Sequence, residues 1–215
     1  MNNHENKLLT VLGKFTDSLL LNLLFLISCV PVITIGVSVT AFYYTLRKVL
    51  KQDRGYLWAE YKRAWKENFK QATLCWLLFL AIGAVLAIDI YVMYQAAAEG
   101  AGYGMSYLFF AVLFVILVLW AVYTFAYLAR FENTTKAVLK NSILFMFANM
   151  AKTLLVLLVF GISAFLVWLT PFSLVIVPLL CGWYLEVILE SVFRKYMSEE
   201  DRKAEDERNQ DFYET

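Results

Sequence analysis

Long apolar runs alternate with short basic ones along this chain. Apolar segments cover Leu19 to Leu46, Ala72 to Met93, Met105 to Ala129, Thr153 to Leu169 and Phe172 to Phe193. A helix crossing a bilayer needs roughly 20 apolar residues, and the last four segments each suit one crossing. The first has 28 residues, too many for a single comfortable span. It contains Pro31-Val32-Ile33-Thr34-Ile35-Gly36. Pro31 cannot donate a helical hydrogen bond, and Gly36 tolerates unusual dihedrals. A helix break at Pro31, Thr34 and Gly36 is therefore expected, dividing the segment into a hairpin with a short second arm. A single long, kinked and tilted helix is the alternative.

Between the apolar runs, two stretches have helical amphipathicity. In Tyr56–Phe69, the aromatic residues Trp58, Tyr61, Trp65 and Phe69 recur at helical spacing, while Arg63 and Lys66 stand among the polar positions. Aromatic residues beside basic ones suit the headgroup zone, so a helix lying at the membrane interface is expected. Packing on protein at the base of the bundle is the other reading. Thr134–Asn149 forms a second such stretch, with Lys136 and Lys140 one turn apart and Asn133 or Thr134 as its cap. The expected fold is all-α: a polytopic bundle of six membrane helices with two cytoplasmic interfacial helices.

Charge sets the orientation. Of the 19 Lys and Arg, eight lie between Arg47 and Lys70, and none lies in Gln95–Gly104 or beside Thr170-Pro171. The positive-inside rule then puts the basic regions in the cytoplasm. A hairpin in the first segment also brings Lys7 and Lys14 inside, so both termini are expected in the cytoplasm of a bacterial cell. Composition agrees: 61% of residues are apolar and mean hydropathy is +0.62, more than a soluble fold of 215 residues can hide. The bilayer is the expected partner, and a net charge of +1 gives no reason to expect nucleic acid. Leu26-Ile27-Ser28-Cys29 fits a lipoprotein cleavage pattern, but the chain stays apolar after Cys29, which argues against cleavage.

The chain divides into a membrane domain, 1–195, and a charged tail, 196–215. From Lys195 onward there are four basic and eight acidic residues. Ser198 with Asp201 resembles a capping box, so a short charged helix followed by disorder is expected, a solvated end in preference to a docking site. A parallel internal repeat is suggested over about 36–95 and 105–170. Phe42-x-Tyr44-x-x-Arg47 recurs as Phe125-x-Tyr127-x-x-Arg130, and Asn68-Phe69-Lys70 is echoed by Asn149-Met150-Ala151-Lys152.

Ionisable residues within spans are costly and are functional candidates by default. Asp89 lies near the outer end of the second segment. Glu186, Glu190 and Arg194 follow one another at one-turn spacing on a single face of the last segment. An ion-pair ladder is the expected role, and with Arg47 and Arg130 ending other helices on the same side these groups are expected to tie the helix ends together; binding of a proton or a polar substrate by a carboxylate is the alternative. Asn22 and Asn141 are candidate interhelical hydrogen-bonders. Cys29, Cys75 and Cys181 are far apart in apolar runs and read as buried apolar residues. His4 is the only histidine, leaving little material for a metal site, and no cofactor is expected. No HExxH, GxSxG, Walker or Gly-rich dinucleotide motif occurs, so no enzymatic activity is expected.

Asn22-Leu23-Leu24-Phe25, Pro31 to Gly36, Ala41-Phe42-Tyr43-Tyr44 and Asn68-Phe69-Lys70-Gln71 together resemble the YesL family. Its members are bacterial multi-pass membrane proteins of about this length and uncharacterised activity. Arg130-Phe131 and Lys140-Asn141-Ser142 are weaker echoes in the second half. Members tend to be encoded near carbohydrate-uptake and polysaccharide-breakdown genes. The resemblance implies an accessory role in oligosaccharide import, with sugar-transporter subunits as partners. A small carrier or channel for a polar solute is the other functional reading.

Overall fold

The computed structural model describes the backbone of residues 3–100, 102 and 104–213, and the side chains of residues 12–100, 102, 105–170 and 172–207. His4 and Lys7 fall outside the described side chains. Eight α-helices are described: α1 (Asn3–Cys29), α2 (Ile35–Thr45), α3 (Leu57–Ala98), α4 (Tyr107–Arg130), α5 (Thr135–Ala148), α6 (Met150–Leu169), α7 (Val177–Tyr196) and α8 (Glu199–Tyr213). The described residues include no strand. Among the described residues four helices are long and apolar enough to cross a membrane: α1 from Leu12, α3, α4 and α6. Their outward faces carry exposed apolar side chains such as Phe15 and Leu23 on α1, Val85 on α3, and Leu158 and Phe165 on α6. This is the surface of a multi-pass membrane protein.

The first apolar segment is broken where Pro31 sits. Pro31 is extended, at φ −75° and ψ 117°, and a short 3₁₀ turn, Val32–Thr34, leads into α2. Backbone freed from helix needs other partners. Here Thr34 Oγ1 donates to the Ser28 carbonyl (2.7 Å), which also accepts from Ser38 Oγ (2.9 Å). Trp76 Nε1 of α3 donates to the Val32 carbonyl at 2.7 Å. The chain then returns antiparallel to α1. Phe25 meets Phe42 with ring centroids 4.8 Å apart, and Lys14 pairs with Asp53 at 2.8 Å. A six-residue π-helical turn, Leu46–Lys51, prolongs the second arm.

Gly36 has a different task from the one its position suggested. It is helical, not a turn residue, and lies where α2 touches α3 and α4. A Cβ there would stand 2.6 Å from Trp76 Cβ and 2.9 Å from both the Ala72 carbonyl oxygen and Phe125 Cε1. Close approach of backbones, rather than unusual dihedrals, explains the glycine.

The stretch expected to lie at the interface is instead the first part of α3. Nothing between Tyr56 and Trp76 stops a helix: there is no Gly or Pro, and Lys, Glu, Gln and Ala favour helix. α3 therefore runs for 42 residues without interruption. Tyr61 is buried, Trp65 is partly buried against the core, and Trp58 is 59% exposed. Protein packing claims this face. α5 packs on α4 in the same way, burying Val138, Ser142 and Met146. Thr134 occupies its N-cap position without a side-chain cap bond. At Asn149 the backbone leaves helix (φ −127°, ψ 51°), so α5 and α6 are separate where α3 is continuous. Six membrane helices were expected. Beyond the four long ones, α2 has only 11 residues, and α7 carries Glu186, Glu190, Arg194 and Lys195.

Crowding at Gly36 gives a test. Gly36→Ala forces the α2–α3 contact apart and is expected to cost about 1–3 kcal/mol, as overpacking does. At Gly161 in α6 an added Cβ meets nothing within 4 Å. Thermal melting in detergent should fall clearly for Gly36→Ala and hold or rise for Gly161→Ala. Equal behaviour of the two would remove the packing explanation.

Candidate functional site

The FxYxxR motifs place their arginines at helix ends. Arg47 is the second residue of the π-helical turn after α2, and Arg130 is the last residue of α4. Their phenylalanines seat those helices. Phe125 lies against Gly36 on α2, and Phe42 lies against Gly182 on α7. With the helices so placed, both guanidinia converge on two carboxylates, Glu190 of α7 and Glu205 of α8.

The geometry is shared rather than paired. Arg47 Nη2 and Arg130 Nη2 each donate to Glu190 Oε1 at 3.2 Å. Arg47 Nε lies 3.2 Å from Glu190 Oε2. The same two Nη2 atoms also reach Glu205, Arg47 on Oε1 and Arg130 on Oε2. Arg130 Nη2 further contacts Met197 Sδ at 3.2 Å. All four side chains are at most 15% exposed. Charges this shielded are tolerated because each has an opposite partner. Arg130 Nε remains buried without a hydrogen-bond partner among the described residues.

Further pairs lie outside this centre. Lys51 pairs with Glu186 and lies over the Trp183 ring, 5.1 Å from its centroid. Lys48 pairs with Glu60 at 2.9 Å, and Arg63 with Glu67 at 3.2 Å. Arg194 grips Asp206 of α8 at 2.7 Å and 2.9 Å. The charged groups of α7 thus tie helix ends together through Arg47 and Arg130, while the ladder within α7 gives way to links between helices. Glu190 goes to Arg47 and Arg130, Glu186 to Lys51, and Arg194 to Asp206. Neighbouring helices offer shorter routes to opposite charge than the next turn of the same helix.

The tail is the larger departure. α8 was expected to be solvated, yet Glu205 is buried at 6% exposure between two helix ends. The Ser198 and Asp201 pairing does cap α8: Ser198 Oγ accepts from the Asp201 N–H at 3.1 Å and donates to Asp201 Oδ2 at 2.7 Å. Nothing in the sequence distinguishes Glu205 from the other acidic residues around it. Its one signal is the presence of two arginines, Arg47 and Arg130, with a single carboxylate, Glu190, to match them.

The remaining candidates lie apart. Asn22 Nδ2 donates to the Val175 carbonyl, tying α1 to the turn before α7. Asn141 and Asn133 both donate to the Tyr127 hydroxyl, at 3.0 Å and 2.9 Å. Asp89 is half-buried on α3 and has no hydrogen-bond or ion-pair partner among the described residues. Lys66 is exposed. Cys29, Cys75 and Cys181 are free. A cavity of about 570 Å³ opens beside the charged centre and is apolar, bounded by Phe42, Val122, Phe160, Trp168 and Leu185. The buried Tyr43 hydroxyl lines it without a hydrogen-bond partner among the described residues.

The family described as "Protein of unknown function, DUF624" matches residues 19–90, which take in the hairpin and most of α3. That similarity is consistent with a YesL-type protein. No curated protein matches the chain, and no solved structure does.

Burial raises the pKa of the Glu205 carboxyl, but Arg47 and Arg130 outweigh it, and the net position is below the ordinary carboxylate range. A depressed carboxylate contributes stability above its unfolded pKa and loses it as pH falls through the folded value. The docking of α8 should therefore hold at neutral pH and fail only as the pH falls below the ordinary carboxylate range. Glu205→Gln should undock α8 at neutral pH, costing about 1.5–3 kcal/mol for charge-assisted bonds. Amide exchange along α8, corrected for intrinsic rates, reads both effects. Arg130→Gln combined with Glu205→Gln should cost less than the sum of the two singles.

Proposed function

We propose that this chain is a non-catalytic accessory component of carbohydrate uptake in the bacterial cell membrane, acting beside a transporter complex. The observation that carries the partner role is the first part of α3. At about 1.5 Å per residue, α3 is about twice as long as a hydrocarbon core of about 30 Å is thick. Its basic half carries Trp58, Lys62, Lys66 and Lys70 at four-residue spacing, all exposed. One helix face thus offers an aromatic anchor and three cations to an acidic partner surface. The carbohydrate assignment rests on the resemblance carried by the N-terminal motifs.

In this reading the membrane is crossed or entered by six helices: α1, the short α2, α3, α4, α6 and α7. The basic end, with both termini, faces the cytoplasm. The two FxYxxR motifs belong to parallel repeats. In support, both motifs deliver an arginine to the same carboxylates, and Asn68 and Asn149 each donate to the carbonyl four residues back, at 2.9 Å and 3.0 Å. A carrier for polar solutes is less well supported, because the spaces between helices are apolar. The 570 Å³ cavity and a second of about 520 Å³ beside Trp76 and Phe79 are lined almost wholly by hydrocarbon and aromatic groups.

Two measurements test the reading. Cysteines introduced at positions 3 and 210 should resist membrane-impermeant reagents in intact cells. Labelling at position 3 alone would require an odd number of crossings. Tagged protein purified in mild detergent should retain membrane subunits of a sugar importer, and Lys62→Glu with Lys66→Glu should reduce their recovery severalfold. Sugar uptake by vesicles holding this chain alone would instead favour the carrier.

A further inference from the structure

The last helix is held in a manner that points to a second occupant for its socket. Of residues 199–207 in α8, Glu205 alone is buried. That stretch has one apolar residue, Ala204, so it has no apolar face with which to pack. Its docking rests on polar contacts: Glu205 on Arg47 and Arg130, Asp206 on Arg194, and Arg202 Nη2 on the Arg194 carbonyl at 2.7 Å. Only Met197 and Ser198 separate α7 from α8. Withdrawing residues 199–207 therefore forfeits little hydrophobic burial, and the joint that must move is short.

We propose that Arg47 and Arg130 form a binding site for a phosphate-bearing anion, and that Glu205 is the internal carboxylate that occupies it until such an anion takes its place. Each arginine gives its Nη2 to a different oxygen of the one Glu205 carboxylate. Two guanidinia straddling two oxygens of a single anionic group is the arrangement that also suits phosphate. A carboxylate has two oxygens, and Arg130 Nε is left buried without a hydrogen-bond partner among the described residues. A phosphate monoester has further oxygens and can accept from that third donor. With Glu205 withdrawn, the two arginines face Glu190 only, since Lys51 and Glu186 match one another. A phosphate monoester, at about −1.5 to −2 near neutral pH, meets the one charge then left unmatched and exceeds it, so the exchange rests on the added hydrogen bonds and not on charge balance. The exchanged state leaves Glu205, Asp206 and the rest of α8 free to act elsewhere, so the site couples anion binding to release of the terminal helix.

The same chemistry has two sources, a soluble phosphate monoester and the headgroup of a phosphatidic-acid-type lipid. The test uses the full chain in detergent at fixed ionic strength, with inorganic phosphate replacing chloride. Amide exchange in α8 should rise saturably, about tenfold, while α7 stays protected. Glu205→Gln should remove the need for phosphate in that release. It should also bind phosphate about tenfold more tightly, because the competing internal ligand no longer holds the site. If Glu205→Gln folds poorly, Asp206→Asn loosens the exposed clasp without touching the socket and should shift half-saturation to lower phosphate. Nanodiscs of phosphatidic acid, compared with phosphatidylcholine, separate the sources. Release in phosphatidic acid without added phosphate assigns the headgroup, and release only with soluble phosphate assigns the free anion. If phosphate moves α8 no more than chloride does and phosphatidic acid does not release it, the proposal is overturned. It is equally overturned if the variants bind phosphate no more tightly than the parent chain.

Discussion

Two arginines sharing two carboxylates organise the basic end of this protein. Arg47 and Arg130 come from different parts of the chain and Glu190 and Glu205 from its last two helices, yet the four side chains form one nearly buried charge cluster. Removing an arginine or Glu190 leaves an uncompensated charge at a shielded site, which costs more than the pairing contributes. The cluster therefore works mainly as a constraint. It fixes which helix ends meet, and it ties α2, α4, α7 and α8 to a common point.

Much of the remaining packing brings these ends into register. Gly36 and Gly182 permit close contact with Phe125 and Phe42, which set α4 on α2 and α2 on α7. The hairpin at Pro31 turns the chain so that α2 can arrive at all, and its loose carbonyls are satisfied by Thr34, Ser38 and Trp76. Polar atoms inside the bundle are mostly directed to local or interhelical bonds. Thr40 and Thr45 donate to carbonyls one turn back, and Tyr123 meets Thr153 at 3.0 Å. What is left between the helices is hydrocarbon-lined space. A bundle built in this way is suited to holding and presenting surfaces, and its exposed basic stripe and detachable last helix are the surfaces it has to present.

Both amphipathic stretches illustrate how far pattern reading extends. The periodicity of Trp58, Tyr61, Trp65 and Phe69 correctly indicates a helix with one apolar face, since side-chain spacing on a helix is a local property. The pattern does not say what covers that face. Lipid and protein are equally apolar, so Tyr61 and Trp65 could pack on either, and the hairpin rather than the bilayer received them. Likewise, no residue between Phe69 and Ala72 signals that the amphipathic and apolar parts form one helix. That follows only from the absence of a stop.

The sequence by itself determined the elements whose causes are local. Apolar length gave the helices, proline gave the break, and the charge distribution marked one end of the bundle. It also identified Glu190, Arg47 and Arg130 as residues to watch, because charges beside spans are rare. The partners were a tertiary matter. Arg47 and Glu205 are 158 positions apart, and Lys51 and Glu186 are 135 apart. Opposite charges attract without regard to sequence spacing, so many pairings satisfy the same list of residues. Only packing, through two glycines and the aromatic rings they admit, selected the arrangement in which one glutamate of a charged tail becomes the buried one.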